Sequence, residues 1–264
     1  MAILVLGTKT HYGVGKAMAL FEAQKLHKRF GDRVVLEEIN LSFEAGKLSG
    51  IMGPNGAGKT TCFNVLTGRY KPNRGKVVFD GQDITGMAPR TIARKGISRS
   101  FQIMNLFDDF SVIENVLVAV PQVRDRGFNM THRVVADSVA MDKAAMVLEQ
   151  VGLKDKAYEN AGSLPYGDRR ALEIGVALAT EPRLLFLDEP TSGLGIDATA
   201  RLSELVLKLK QAYTIVIIEH DMKFLFGLAD DIAVIHWGQV ITHGTPDELR
   251  ANKWVQSSNL GKLT

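Results

Sequence analysis

The chain has 264 residues, 45% of them hydrophobic and 23% charged, and 32 Lys and Arg against 29 Asp and Glu leave a formal net charge of +3. That composition excludes a disordered, fibrous or collagen-like chain, and at about 100–200 residues per domain it allows one large domain or somewhat more. The near balance of charge, without a basic run, gives no reason to expect nucleic acid. One cysteine, Cys62, cannot close an internal disulfide and fits a reducing cytoplasmic setting, and no apolar run approaches the roughly 18 residues of a membrane-spanning helix.

Residues 1–19 read as an N-terminal extension of unknown role. Its Gly13-Val14-Gly15-Lys16 imitates part of a phosphate loop but continues with Ala17 where a hydroxyl is needed. From Leu20 the pattern becomes legible. Runs 20–28 and 34–43 predict two strands separated by the turn Phe30-Gly31-Asp32, the beginning of an antiparallel β layer. A short apolar strand, 48–52, leads into a glycine-rich segment, and 60–66 predicts a helix that stops at Gly68. A strand over 76–79 ends at Asp80-Gly81, and 91–95 reads as helical. Strand alternation then disappears over 105–163, which predicts a helical insert, with helical spacing at Met146, Val147 and Val151. Beyond it, 184–187 and 215–218 are apolar at consecutive positions, as strands buried on both faces of a parallel sheet are. Between these strands Leu202, Leu205, Val206 and Leu209 fall on one face of an amphipathic helix, so that strand, helix and strand form a crossover unit.

The segment Gly53-Pro54-Asn55-Gly56-Ala57-Gly58-Lys59-Thr60 satisfies G-x-x-x-x-G-K-[ST] between a predicted strand and a predicted helix. Its glycines let the backbone turn successive N–H groups toward phosphate oxygens, aided by the helix N-terminus. Lys59 is placed to reach the β and γ phosphates and the Thr60 hydroxyl to bind Mg²⁺. The strand 184–187 delivers Asp188 and Glu189 at its carboxyl end, where ligands sit in open α/β sheets, the first suited to a metal and the second to activating water. His220 follows the next apolar run and arrives at the same edge. Cys62 lies in the first helical turn after the loop; a helix dipole lowers a thiol there, but a buried, inert thiol is the preferred reading. Trp237 and Trp254 are assigned only to packing and surface.

GPNGAGKTT at 53–61, SFQ at 100–102, LPYGD at 164–168, LLFLDEPTSGL at 184–194 and IIEHD at 217–221 together resemble the ATP-binding subunit of an ATP-binding cassette (ABC) transporter. The resemblance implies an α/β fold: a RecA-like P-loop NTPase core with an antiparallel β layer and an inserted helical subdomain. The core would comprise 20–104 and 164–264, and the subdomain 105–163. It implies that Phe30 stacks on adenine, that residues 53–61, Thr61 included, hold ATP, and that Thr60, Gln102 and Asp188 hold Mg²⁺. Glu189 then corresponds to the catalytic base, His220 to the switch histidine that senses the γ-phosphate, and Gln102 to the glutamine that couples the site to the membrane partner. Leu164, Pro165, Tyr166, Gly167 and Asp168 stand where the family's signature meets the nucleotide of the opposite subunit.

Two departures bear on that assignment. The usual signature serine is Pro165, which offers neither a hydroxyl nor a backbone N–H, and Gly195 replaces the usual terminal aspartate of the following loop. Both weaken this chain's part in a composite site, which makes a paired, non-identical ATPase subunit as sensible as a homodimer. Tyr166-Gly167-Asp168, Leu172-Glu173-Ile174, the 217–222 run and Gly244-Thr245-Pro246 are similar to the subgroup serving importers of branched-chain amino acids, related hydrophobic or amide substrates, and urea. The implied protein is a cytoplasmic ATPase, peripheral on the inner face of the membrane. It would dock on transmembrane permeases through the helical subdomain and be linked through them to a periplasmic solute-binding protein. An exporter ATPase, such as one for lipopolysaccharide, is the alternative, and a non-transport ABC ATPase a more distant one.

Overall fold

The computed structural model describes residues 19–100, 106–121, 123 and 138–257. Gln102, residues 1–18 with the Gly13–Lys16 segment, parts of 105–163 and residues 258–264 lie outside them.

Two sheets carry the molecule. The first is antiparallel, in the order β2-β1-β4-β5, from β1 (Ala19–Phe30), β2 (Arg33–Glu44), β4 (Arg74–Phe79) and β5 (Gln82–Asp83). Phe30 pairs with Arg33 across the expected turn, and Phe21 lies opposite both Phe43 and Phe79. The second sheet has the order β10-β9-β3-β8-β7-β6 and combines β3 (Leu48–Met52), β6 (Ile97–Arg99), β7 (Leu184–Asp188), β8 (Thr214–Glu219), β9 (Asp231–His236) and β10 (Gln239–Gly244). It is parallel except for β10, which returns antiparallel on β9.

Consecutive apolar residues in β7 and β8 serve two cores, as expected for a sheet covered on both faces. Leu184 and Phe186, with Val216 and Ile218, face the antiparallel sheet and helix α1 (Lys59–Leu66). There the ring of Phe186 meets Phe21, Phe43 and Phe63 at centroid distances of 5.5, 6.3 and 5.9 Å, each edge to face. Leu185 and Leu187, with Ile215 and Ile217, face the opposite way. That second core also takes the predicted face Leu202, Leu205, Val206 and Leu209 of the helix Ile196–Lys210, which crosses from β7 to its parallel neighbour β8.

In chain order the helices after α1 are α2 (Pro89–Arg94), α3 (Val112–Leu117), α4 (Ser138–Gln150), α5 (Tyr166–Leu178), α6 (Ile196–Lys210), α7 (Met222–Leu228), α8 (Pro246–Ala251) and α9 (Lys253–Ser257), among the described residues. The described part of 105–163 is built of α3, α4 and two short 3₁₀ turns. The helix expected there is α4. Ala140, Ala144 and Leu148 are buried and Met146 is 58% exposed, whereas Val147 and Val151 do pack inward. The alanines let α4 approach its neighbours closely, and Val147 and Val151 close on α5 at Gly175, which turns the bulky Met146 to solvent.

Candidate functional site

The loop 53–58 joins the end of β3 to α1. Gly58 caps the helix at φ +102°, a conformation that disfavours any side chain, and a Cβ on Gly53 would stand 2.1 Å from the Ile235 carbonyl oxygen of β9. The β9–β10 turn also braces this loop, because the Gly238 amide donates to the Ala57 carbonyl at 2.9 Å while its own carbonyl accepts the Glu37 amide of β2 at 2.8 Å. Sequence reasoning gave the neighbouring Trp237 no role. Its ring is 85% exposed, lies 4.3 Å from that of His236, and follows a backbone at φ +47° that turns the chain onto the phosphate loop. Trp254 packs edge-on to His236 as well.

Lys59 is buried, and its ammonium donates to the carbonyls of Gly53 at 2.7 Å and Pro54 at 3.1 Å. Burial holds it below the ordinary lysine range against the opposing pull of Glu189, Glu219 and Asp188. The charges of three carboxylates therefore act on the loop's lysine. Cys62, one turn into α1, is fully enclosed, and burial pushes its thiol up to about 12, so it is inert as the sequence suggested.

Asp188 ends β7 in a buried position, with its amide near the Ser100 hydroxyl. Burial and the adjacent Glu189 push its carboxyl up to about 6, against Arg99 and Arg170. Thr60 and Asp188 line one cleft of about 820 Å³, which Arg99, Asn64, Leu106 and Glu173 also border. A hard-oxygen pair of this kind, with a carboxylate raised by burial, fits a divalent cation whose remaining ligands come from phosphate and water. Among the described residues no three His, Cys, Asp or Glu side chains gather as a self-sufficient metal cage.

Glu189 occupies a turn at φ +43°, its amide bonded to the Ile218 carbonyl of β8 at 2.8 Å. The His220 Nδ1 lies 3.8 Å from Glu189 Oε1 and 3.6 Å from Glu219 Oε2. Thus the ends of β3, β7 and β8 bring Lys59, Asp188, Glu189 and His220 to one edge, as the three apolar runs suggested.

Sequence reasoning missed two charged residues. Glu219 has no solvent exposure and organises the turn before His220, accepting the His220 and Asp221 amides and both the amide and hydroxyl of Thr191. Arg170 of α5 is also buried and reaches the Glu189 turn. Glu219 stands within the 217–221 motif already read and Arg170 falls between 164–168 and 172–174, but only their burial among partners distant in sequence marks them.

Phe30 is 45% exposed at the end of β1, with the Lys28 ammonium 4.9 Å above its ring and Tyr70 edge-on at 5.4 Å. The signature residues form the start of α5. Pro165 is its N-cap and supplies no side-chain cap, while the Asp168 and Arg169 amides close on the Pro165 carbonyl and Asp168 pairs with Lys156 at 2.5 Å. Leu164 is buried; Tyr166 donates its hydroxyl to the Ser192 carbonyl at 3.2 Å, and Gly167 packs against Ala198. Gly195 caps α6 without a side-chain bond.

A family model described as ABC transporter matches residues 36–192. Over 250 residues the chain is 40% identical to the high-affinity branched-chain amino acid transport ATP-binding protein LivG of Escherichia coli K12, covering 92% of this chain and 98% of that protein. It is likewise 40% identical over 252 residues to the corresponding protein BraF of Pseudomonas aeruginosa, with the same coverage. Among solved structures, a crystal structure of the ADP conformation of an ATP-binding cassette of an ABC transporter superposes with a TM-score of 0.81 at 29% identity, covering 90% of this chain and 97% of that one.

Proposed function

The chain belongs to the ABC transporter ATP-binding family, and from that premise we propose that it hydrolyses ATP at the edge formed by β3, β7 and β8 to energise import of branched-chain or related amino acids. The observation that carries the site assignment is that Asp188, Glu189 and His220 at the ends of β7 and β8 and Lys59 at the start of α1, just past β3, come from three separate parts of the chain to one sheet edge, with His220 and Glu189 3.8 Å apart. The amino acid class rests on the names of the relatives, since the site meets nucleotide rather than solute.

In this reading the backbone amides of 53–61, Pro54 excepted, cradle the phosphates, and Lys59 leaves the carbonyls of Gly53 and Pro54 to meet the β and γ phosphates. Phe30 stacks on the base. Thr60, Asp188 and Gln102 would hold Mg²⁺, which when bound neutralises charge on the phosphate oxygens. Glu189 accepts the proton of the attacking water, and His220 orients toward the γ-phosphate. The start of α5 offers amides to a nucleotide held by a second ATPase subunit, identical or not. Exposed Tyr166 and the 90% exposed Ile196 would be covered by that subunit. We divide the chain into a core, 20–104 and 164–264, and a helical subdomain, 105–163, that contacts transmembrane permeases and through them a solute-binding protein. Among the described residues no helix is long and apolar enough to cross a membrane, so the permeases supply the spans and hold this chain at the membrane's inner face.

Two variants test the site. Lys59→Ala should abolish nucleotide binding measured by calorimetry, and Glu189→Gln should bind ATP yet lose nearly all turnover; unchanged hydrolysis in the latter would remove Glu189 from its role. Reconstitution with its permeases and a binding protein loaded with leucine should raise ATP turnover, and indifference to leucine would sink the substrate assignment.

A further inference from the structure

Arg170 is 1% exposed, the bulkiest of the fully buried side chains among the described residues. A guanidinium in that position is tolerated only when its donors are used. Its Nη1 donates to Glu173 Oε2 at 2.6 Å, three residues along α5. Two other donors turn away from that ion partner: Nε reaches the Pro190 carbonyl at 3.1 Å and Nη2 the Glu189 carbonyl at 3.1 Å. One planar fork therefore grips two successive carbonyls of the turn that carries Glu189.

That turn needs holding. Glu189 adopts φ +43°, a left-handed conformation that is unfavourable for a non-glycine residue and persists only where the surroundings impose it. Its amide is pinned to Ile218 of β8, and its carbonyl accepts both the Ser192 amide at 3.0 Å and Arg170. Arg170 in turn belongs to the helix whose first turn is the signature segment.

We propose that Arg170 is a positioning residue that fixes the Glu189 backbone and so links the signature helix to the placement of this chain's own catalytic base. The inference rests on the reading of Glu189 as that base. Lysine cannot reproduce it, because an ammonium lacks the rigid fork that spans two carbonyls while remaining beside Glu173.

The test uses the full chain carrying Arg170→Lys, which keeps a cation next to Glu173, and Arg170→Met, which keeps the bulk alone. ATP affinity is titrated with a fluorescent ATP analogue, and turnover is expressed per nucleotide-binding site, so that any misfolded fraction drops out. The expected result for Arg170→Lys is a Kd within about twofold of the parent with turnover lowered roughly ten- to hundredfold, the scale of a small displacement of a reacting group. Arg170→Met should lose at least as much; if it does not fold, Arg170→Lys decides. Turnover per site within twofold of the parent means a structural role only and overturns the proposal, as does a Kd that rises in step with the loss of turnover. Glu189→Gln distinguishes the premise: if it keeps turnover the base reading fails, whereas an inactive Glu189→Gln beside a fully active Arg170→Lys sinks the positioning role alone.

Discussion

Thr191 is bound twice to the buried carboxylate of Glu219, its amide donating to Oε1 at 2.9 Å and its hydroxyl to the same oxygen at 2.5 Å. The other oxygen accepts the His220 and Asp221 amides at 2.9 and 3.2 Å, so one fully enclosed side chain sets the relation between the turn after β7 and the turn after β8. Glu219→Ala leaves the buried Thr191 amide without its acceptor, at about 1–3 kcal/mol, and removes the acceptor of the half-buried His220 and Asp221 amides as well. Urea unfolding should register a loss of about 1–3 kcal/mol, more than for Thr191→Val, which removes only one of the bonds to Glu219. A Glu219→Ala protein as stable as the parent would contradict this account.

Asp188 offers the opposite sign. Burial, then the charge of Glu189, raises its carboxyl from 3.8 to about 6, so the folded chain holds this proton more tightly than the unfolded chain does. Its contribution to stability is present below the unfolded value and lost as pH rises through about 6. Asp188→Asn should therefore unfold at higher denaturant than the parent at pH 7.5 without nucleotide, by roughly 1–3 kcal/mol, while losing hydrolysis. No gain in stability would show that the ionised carboxylate is not strained there.

At the other end of β3 and β9, Asp231 accepts the Ser49 hydroxyl at 2.7 Å and meets His243 Nε2 at 2.8 Å. The bond to Asp231 raises His243 above its ordinary 6.5, opposed by burial and by Lys47 and helped by Glu248. Although burial pushes Asp231 upward, the bonds from His243 and Ser49 hold it below the usual carboxylate value of 3.8. The histidine's contribution is complete below 6.5 and lost as pH rises through its higher folded value; the aspartate's is complete above 3.8 and lost as pH falls through its lower one. The pair thus contributes fully between these two values. His243→Gln should flatten the fall in thermal midpoint on the alkaline side, and a midpoint profile parallel to the parent's from pH 6 to 8 would refute the coupling.

Pro165 caps α5 with no side-chain acceptor. Pro165→Ser supplies a hydroxyl for the amides of the first turn, which should stabilise the chain by about 0.5–2 kcal/mol in thermal or urea unfolding. The same hydroxyl stands where the opposed nucleotide is proposed to lie, so turnover should rise. A stabilised variant with unaltered turnover would separate the cap from catalysis.

Much of this was legible in sequence because it is local. The phosphate loop needs its residues at fixed spacing, a strand covered on both faces needs consecutive apolar residues such as 184–187, and Leu202, Leu205, Val206 and Leu209 mark a helix face by period alone. The acids and histidine at the ends of β7 and β8 follow once those runs are strands. Tertiary structure decided what local spacing cannot encode. The burial of Arg170 depends on carbonyls 19 and 20 residues away, and that of Glu219 on a hydroxyl 28 residues away. The exposed side of α4 was settled by how closely Ala140 and Ala144 allow it to approach its neighbours, and the bracing of the phosphate loop by Gly238 required β9 to lie beside β3. Periodicity says which side of an element is apolar; only packing says which polar group must find its partner inside.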